Sequence, residues 1–450
     1  MRIRPALLVV VTFAALILFG TVVLQVQSLA EGQADSELIT SAFTSVSAVC
    51  VTGLTVVDLS RDMGFGGQLA VLVLIQIGGL GVLTLSNWVL LSLRGRLGVY
   101  GSILTVDTVG VHARVSPTVL VRRIMVFTLA SEALGVLVLF IRFVGDVPVG
   151  RAVWLAVFHS VSAFCNAGVS LFSESLLTYR DDLVVNLTVM ALIVVGGICF
   201  VAAMDIVEQA AATVRGVRRK LAVHTRVVAG VSLLLIVASG LLFLAFEWNN
   251  TFAAESAGGE LLQSFFLSVT ARTAGFNTVD TAHLTNMTLV ILIVLMVIGA
   301  SPGSTGGGVK TTSVVVLWAL LRSHLFNRPE TEVRHRRVPP ELVAKAMALI
   351  LLYACVVVVG MIALQATEFG ELPHQATRGL FLEHLFEVVS ALSTVGLSMG
   401  LTIRLSDGGL LVLMGLMFVG RVGPLVIAAS LIGERSQLDY RLPEADIMIG

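Results

Sequence analysis

Two groups of residues in this 450-residue chain have types and spacing that could do chemistry. The first is "ASPGSTGGGVKTTS", residues 300–313, with glycines at 303, 306, 307 and 308 and another just before it at 299, a lysine and several hydroxyls. Such a run invites the reading of a phosphate cradle. A P-loop, however, places glycine directly before its lysine and leads from a strand into a helix. Here Val309 precedes Lys310, and the upstream "NMTLVILIVLMVIG" is apolar enough to cross a membrane. Nucleotide binding at this loop is therefore set aside. The second group is a repeat. "FTSVSAVCVTGLT", "FHSVSAFCNAGVS", "FFLSVTARTAGFN" and "FEVVSALSTVGLS" each start with a phenylalanine (43, 158, 265, 386) ten residues before a glycine (53, 168, 275, 396). Three copies share Ser-Ala six and five residues before that glycine, and the third has Thr-Ala one residue later.

The chemistry these turns offer is coordination by backbone oxygen. Glycine admits φ > 0, so successive carbonyls can aim the same way. About ten helical residues ahead of each turn span roughly 15 Å, half the hydrocarbon thickness of a bilayer. A half-helix of that length ends near the midplane with its partially negative C-terminus, which favours a cation. The backbone must return without helical hydrogen bonds, which is tolerated only where it lines water or is buried in protein. Four such returns about one axis would make rings of carbonyls able to replace an ion's hydration shell.

The elements that must position these turns are apolar. The chain is 56% hydrophobic and 13% charged, with a mean hydropathy of +0.95, where soluble domains carry about a quarter charged residues. Eight stretches read as spanning helices: 5–26, 68–93, 124–144, 184–204, 227–246, 286–300 continuing brokenly to 321, 346–365 and 409–432. The first is too long for a signal peptide's apolar core. Each glycine motif lies between two of them. The expected class is an all-α membrane protein of four parallel helix–pore-loop–helix repeats, pseudo-fourfold about one pore. Its units are 1–95, 121–206, 226–322 and 344–433, followed by a tail at 434–450.

With the N-terminus inside, cytoplasmic segments hold 20 of the 29 basic residues and external ones seven, while Lys310 and Arg421 fall within spans. The positive-inside rule then puts both termini in the cytoplasm. The same partition leaves 18 of 29 acidic residues outside, a polarity that concentrates cations at the outer face. The four cysteines stand singly and the eight histidines are scattered, so neither a disulfide framework, a zinc site nor a catalytic triad is indicated.

"CVTGL", "CNAGV", "RTAGFNT" and "STVGLS", with "QIGGLG" at 76–81, "SPGSTGGGVKTT" at 301–312 and "GRVGPL" at 420–425, resemble the Trk/Ktr/HKT superfamily of potassium transporters over essentially the whole chain. Length and helix number favour its KtrB branch over TrkH-like chains, which carry two further N-terminal helices. The resemblance implies a filter made by Val51, Thr52, Gly53, Asn166, Ala167, Gly168, Thr273, Ala274, Gly275, Thr394, Val395 and Gly396. It implies a gate made by Gly303, Ser304, Thr305, Gly306, Gly307, Gly308 and Lys310, with Arg421 reaching the same constriction. It also implies K+ as the transported ion, no covalently bound cofactor, Na+ as a candidate activator, and a homodimer in plasma-membrane lipid. The implied partner is a cytosolic ring of RCK domains that binds nucleotide; no nucleic acid is involved. In plant relatives a serine in the first repeat accompanies sodium preference, so Gly53 argues for potassium. One filter glycine per repeat leaves room for Na+ passage. Arg272 is expected to pack behind the third turn rather than face the ion path, and Glu132 to serve as a structural partner to a neighbouring helix, the alternative being a coupling-ion site. The competing class is a Na+- or H+-coupled symporter, whose repeats would be inverted where these run parallel.

Overall fold

The computed structural model describes residues 5–31, 37–94, 117–217, 219–253, 256–370, 372–424 and 426–427. The expected tail at 434–450 and the basic residues Arg96 and Arg114 lie outside the described residues. The helix order long, short, second recurs four times. It runs α1 (Pro5–Ala30), α2 (Leu38–Cys50), α3 (Phe65–Arg94); α4 (Pro117–Phe143), α5 (Val149–Cys165), α6 (Leu183–Gly197) with α7 (Phe200–Val214). It continues α8 (Val223–Glu247), α9 (Ala257–Thr270), α10 (Asn286–Val297) with α11 (Thr311–Leu325); α12 (Pro340–Glu368), α13 (Leu380–Leu392), α14 (Asp407–Val422).

The long helices are the ones that suit a bilayer. Four stretches, Val9–Ala30, Val121–Phe143, Val223–Glu247 and Pro340–Glu368, are long and apolar enough to cross it. They expose Leu18, Phe19, Leu129, Leu134, Leu233, Leu234, Val359 and Ile362, a surface that suits lipid rather than water. Three of the second helices depart from the continuous spans expected of them, and the fourth is broken as expected. The 68–93 segment carries Gly81 at φ 76°, ψ 155°, a break in its helix. The 184–204 segment bends by 111° between Gly197 and Phe200. There the Ser301 N–H donates to Gly197 O (3.2 Å) and the Phe200 N–H donates to Gly303 O (3.1 Å), so the loop after α10 satisfies the groups the break releases. Helix α14 breaks after Val422, where Gly423 turns to φ 94°, inside the expected span 409–432, of which 428–432 lie outside the described residues.

Side-chain caps start three of these second helices. Asp182, Thr285 and Ser406 each accept the N–H three residues on, at the starts of α6, α10 and α14. Packing then follows one rule. Helix α3 packs on α5, α6 on α9, α10 on α13, and α14 on α2, so each second helix rests on the short helix of the next unit and the last returns to the first. The short helices are the buried ones, anchored by Phe43, Phe158, Phe266 and Phe386, all fully enclosed. In the third unit the enclosed ring is Phe266 rather than Phe265, in step with the Thr-Ala pair, which also stands one residue nearer its glycine than the Ser-Ala pairs do. Serines on three short helices fix them to the long helix of their own unit: Ser45 donates to Ile17 O (2.8 Å), Ser160 to Glu132 O (2.7 Å) and Ser268 to Ile236 O (2.8 Å). Ser45 and Ser160 sit against Gly20 and Gly135, where any Cβ would come within 2.4 Å of the hydroxyl.

Candidate functional site

Each short helix ends in a turn of one design. Two residues before the glycine the backbone is left-handed: Val51 (φ 55°), Asn166 (59°), Thr273 (67°) and Thr394 (51°). The glycine itself is again at positive φ: Gly53 (95°), Gly168 (66°), Gly275 (81°) and Gly396 (90°). In the first, second and fourth copies the turn is a Schellman close: Thr52 N–H donates to Ser47 O, Ala167 N–H to Ser162 O and Val395 N–H to Ser390 O. The first left-handed position normally takes Gly or Asn. Val51, Thr273 and Thr394 are β-branched, so each stores strain of about 1–3 kcal/mol that the surrounding packing must offset. Left-handed backbone repeated at four equivalent positions, strained at three of them, points to a functional site.

Hydroxyls hold the turns from behind. Ser47 and Ser390 accept the N–H of Gly53 and Gly396 (3.1 Å each), while Ser162 and Thr270 donate to Val169 O and Phe276 O (2.7 Å each). These are the Ser-Ala and Thr-Ala positions of the repeat, and their shared identity was the only trace of this role in the sequence.

The turns meet head to tail. A Cβ on Gly53 would lie 2.2 Å from Ala167 O, on Gly168 2.5 Å from Ala274 O, on Gly275 2.3 Å from Val395 O, and on Gly396 2.1 Å from Thr52 O. The carbonyl before each glycine therefore rests on the glycine of the unit before it, and the fourth closes on the first. Among the described residues none of these four oxygens accepts a hydrogen bond. Buried carbonyls are normally paired, so four convergent ones are suited to a cation. On one side of them opens a cleft of about 470 Å³ lined by all four glycines and by Asp58 and Asp280. Partial burial opposes ionisation of Asp58, but hydrogen bonds from Ser173 and Ser60 outweigh it and hold the carboxyl below its ordinary range. The cleft thus keeps a negative charge.

On the other side sits the glycine-rich loop. Helix α10 ends at Val297, and the chain doubles back through a Val309 N–H to Val297 O bond (3.0 Å) and an Ala300 N–H to Gly307 O bond (3.1 Å) before α11 begins. A Cβ on Gly306 would lie 2.2 Å from Thr273 Oγ1, and one on Gly307 2.2 Å from Thr394 Oγ1. The loop therefore abuts the strained residues of two turns at a distance only glycine allows. Thr305 Oγ1 reaches Phe164 O (3.2 Å) and Gly196 O (3.0 Å), tying it to the second unit. Lys310 Nζ donates to Gly306 O (2.7 Å) and Gly307 O (3.5 Å), and Arg421 donates to Thr305 O and, from its other nitrogen, to Gly78 O.

A family model for TrkH cation transport proteins matches residues 6–437. The chain belongs to the TrkH family of cation transport proteins. Its relatives include the Ktr system potassium uptake protein B of Vibrio alginolyticus, 35% identical over 91% of this chain and 87% of that protein. The protein of the same title from Bacillus subtilis is 32% identical over 92% and 89%. The potassium/sodium uptake protein NtpJ of Enterococcus hirae is 32% identical over 100% and 98%. The crystal structure of the potassium transporter TrkH from Vibrio parahaemolyticus superposes with a TM-score of 0.69 at 23% identity, over 94% of this chain and 84% of that one, a likeness of fold.

In this TrkH-family chain the twelve turn residues singled out in the sequence lie together, with Gly306 and Gly307 against them and Thr305, Lys310 and Arg421 bonded around that loop. Gly303 meets Phe200 at the bend after α6, and Ser304 bonds Ser301 within the loop. Arg272 is buried and its Nη2 donates to Ser232 Oγ on α8 (3.0 Å), behind the third turn. Glu132 accepts from Gln76 Nε2 of α3 (3.2 Å), a bond between two units. Sequence reasoning missed Tyr353, whose hydroxyl reaches Ser393 Oγ (2.5 Å) beside the fourth turn from its long helix. A lone tyrosine in an apolar span was its only signal.

Proposed function

We propose that the chain is a channel-like path for K+ uptake across the plasma membrane, its four units standing in pseudo-fourfold order about one pore with both termini cytoplasmic. The observation that carries this reading is the closed sequence of carbonyls, Thr52, Ala167, Ala274 and Val395, each seated on a glycine of the neighbouring unit. These oxygens, with the rest of residues 51–53, 166–168, 273–275 and 394–396, form the filter. The cleft holding Asp58 is its external mouth, and the loop at 303–308, with Lys310 and Arg421, is its gate. The names of the relatives, potassium uptake proteins of the Ktr system, support K+ as the ion. A membrane potential of 100 mV is worth about 2.3 kcal/mol per charge, enough for roughly fiftyfold accumulation without coupled ions.

The test is flux into liposomes containing the purified protein. K+ entry driven by membrane potential alone, with Na+ altering its rate at most, is the expected result. An absolute need for an imposed Na+ or H+ gradient would establish the symporter instead.

Gating in this reading falls to a homodimer carrying a cytosolic ring of nucleotide-binding RCK domains. The surface offered to that ring is built. Strands β1 (Glu332–Val333) and β2 (Arg336–Arg337) form a hairpin whose two turn residues, Arg334 (φ 48°) and His335 (φ 61°), are both left-handed, a type I′ turn. Arg336 and Arg337 are exposed on it, Arg337 paired with Glu330 at 3.0 Å. Neutralising Arg334, Arg336 and Arg337 together should weaken binding of an RCK ring about tenfold at low salt, while leaving membrane insertion intact. Co-purification with unchanged stoichiometry and salt resistance would remove this hairpin from the interface.

A further inference from the structure

Glu387 and His159 occupy the same place in two of the four short helices, nine residues before Gly396 and Gly168. Both are completely buried. Each reaches across its turn to the serine two residues beyond the glycine. Ser398 Oγ donates to Glu387 Oε1, and Ser170 Oγ lies 2.9 Å from His159 Nε2. His159 Nδ1 is 2.8 Å from Leu155 O, so the ring proton sits there and Nε2 is left to accept. The serines then act alike a second time: Ser398 Oγ takes the N–H of Gly400 and Ser170 Oγ that of Phe172, both at 2.9 Å. Glu387 Oε1 further accepts the N–H (3.1 Å) and Oγ1 (2.9 Å) of Thr402. A buried acceptor, a serine hydroxyl and a backbone N–H thus form the same relay in two units, securing the chain that leaves the glycine.

The other two units lack it. The equivalent of Glu387 in the first is Thr44, whose Oγ1 bonds Thr40 O of its own helix (2.9 Å). In the third, where Phe266 already takes the place of Phe386, it is Leu267, whose side chain has no hydrogen-bonding atom. Because the turns touch in the order one, two, three, four, the second and fourth lie across from each other. We infer that Glu387 and His159 are positioning residues for ion selectivity, a clamp across one diagonal that fixes the outer rim of the filter. The inference rests on the filter reading above. A rim free to contract would let the carbonyls close around the smaller Na+; two tethered quarters resist that.

The test compares K+/Na+ permeability ratios in liposomes for a set of variants. Glu387→Leu removes the acceptor of Ser398 and of both Thr402 donors and should lower the ratio at least about tenfold. Glu387→Gln retains the accepting oxygen and should restore it. Ser398→Ala cuts one of those bonds from the rim, where misfolding of a buried variant is not at issue, and should lower the ratio in the same direction, by no more than Glu387→Leu. The two together should add nothing, as expected of partners in one interaction. Thr44→Val, in a unit without the relay, should leave the ratio unchanged. Gly396→Ser serves as the marker of the filter itself. If it alters K+ affinity while Glu387→Leu and Ser398→Ala keep the normal ratio, the clamp is refuted and the filter stands. If Gly396→Ser also changes nothing, the filter reading falls first. A loss with Glu387→Gln as large as with leucine would show that the bond is not what matters.

Discussion

Arg421→Ala, or deletion of residues 304–308, is expected to raise K+ flux and make it less dependent on the cytosolic regulator. The guanidinium spans two elements, donating to Thr305 O of the loop and to Gly78 O of α3. A hydrogen bond to a charged group contributes about 1.5–3 kcal/mol, so its loss should shift the balance between closed and open loop about tenfold to hundredfold. In the proposed channel the substitution also removes a cation from the ion path, where it would oppose K+ electrostatically. The deletion acts differently. It takes out Thr305, which holds the loop to Phe164 O and Gly196 O, and the two glycines that abut Thr273 and Thr394. Flux should be measured without the regulator, against a protein count from the same vesicles. Normal insertion of both variants with equal or lower flux would mean that the loop is no gate.

Gly275→Ser is expected to weaken apparent K+ affinity at least about tenfold, so that uptake fails at low external K+ before it fails at high. The Cβ would stand 2.3 Å from Val395 O, a backbone atom that cannot swing aside as a side chain would. The residue would also be held at φ 81°, which L side chains seldom adopt. Relief requires the third and fourth turns to separate, and that moves two of the four carbonyls together. Maximal flux should fall less than affinity, because saturating K+ offsets a weakened site. An unchanged half-saturation concentration would exclude Gly275 from ion binding.

The register of the glycines, the break after Val297 and the reach of Arg421 were all legible, because each follows from local composition and spacing. The left-handed residues two before the glycines were not. Val51, Thr273 and Thr394 are types that favour extended backbone, and only Asn166 carried a local signal for φ > 0. The bend between α6 and α7 was hidden for another reason. Its N–H and C=O groups are met by Ser301 and Gly303, about a hundred residues away, and no window around 197–200 contains them. The relay through Glu387 and His159 was hidden too, since a lone acid and a lone histidine in unlike sequences share a role only once the turns are superimposed.

The contacts that complete the circle join the two ends of the chain. Gly396 meets Thr52, α14 packs on α2, and Arg421 bonds Gly78. The other three turn junctions lie between units adjacent in sequence and can form while synthesis proceeds. This seam must wait until the last unit has left the ribosome, and it bears the entropy of closing the longest loop in the molecule. A nascent or truncated chain therefore holds at most three of the four oxygens and lacks the arginine. Assembly order by itself keeps the proposed ion site from existing before the part that closes it.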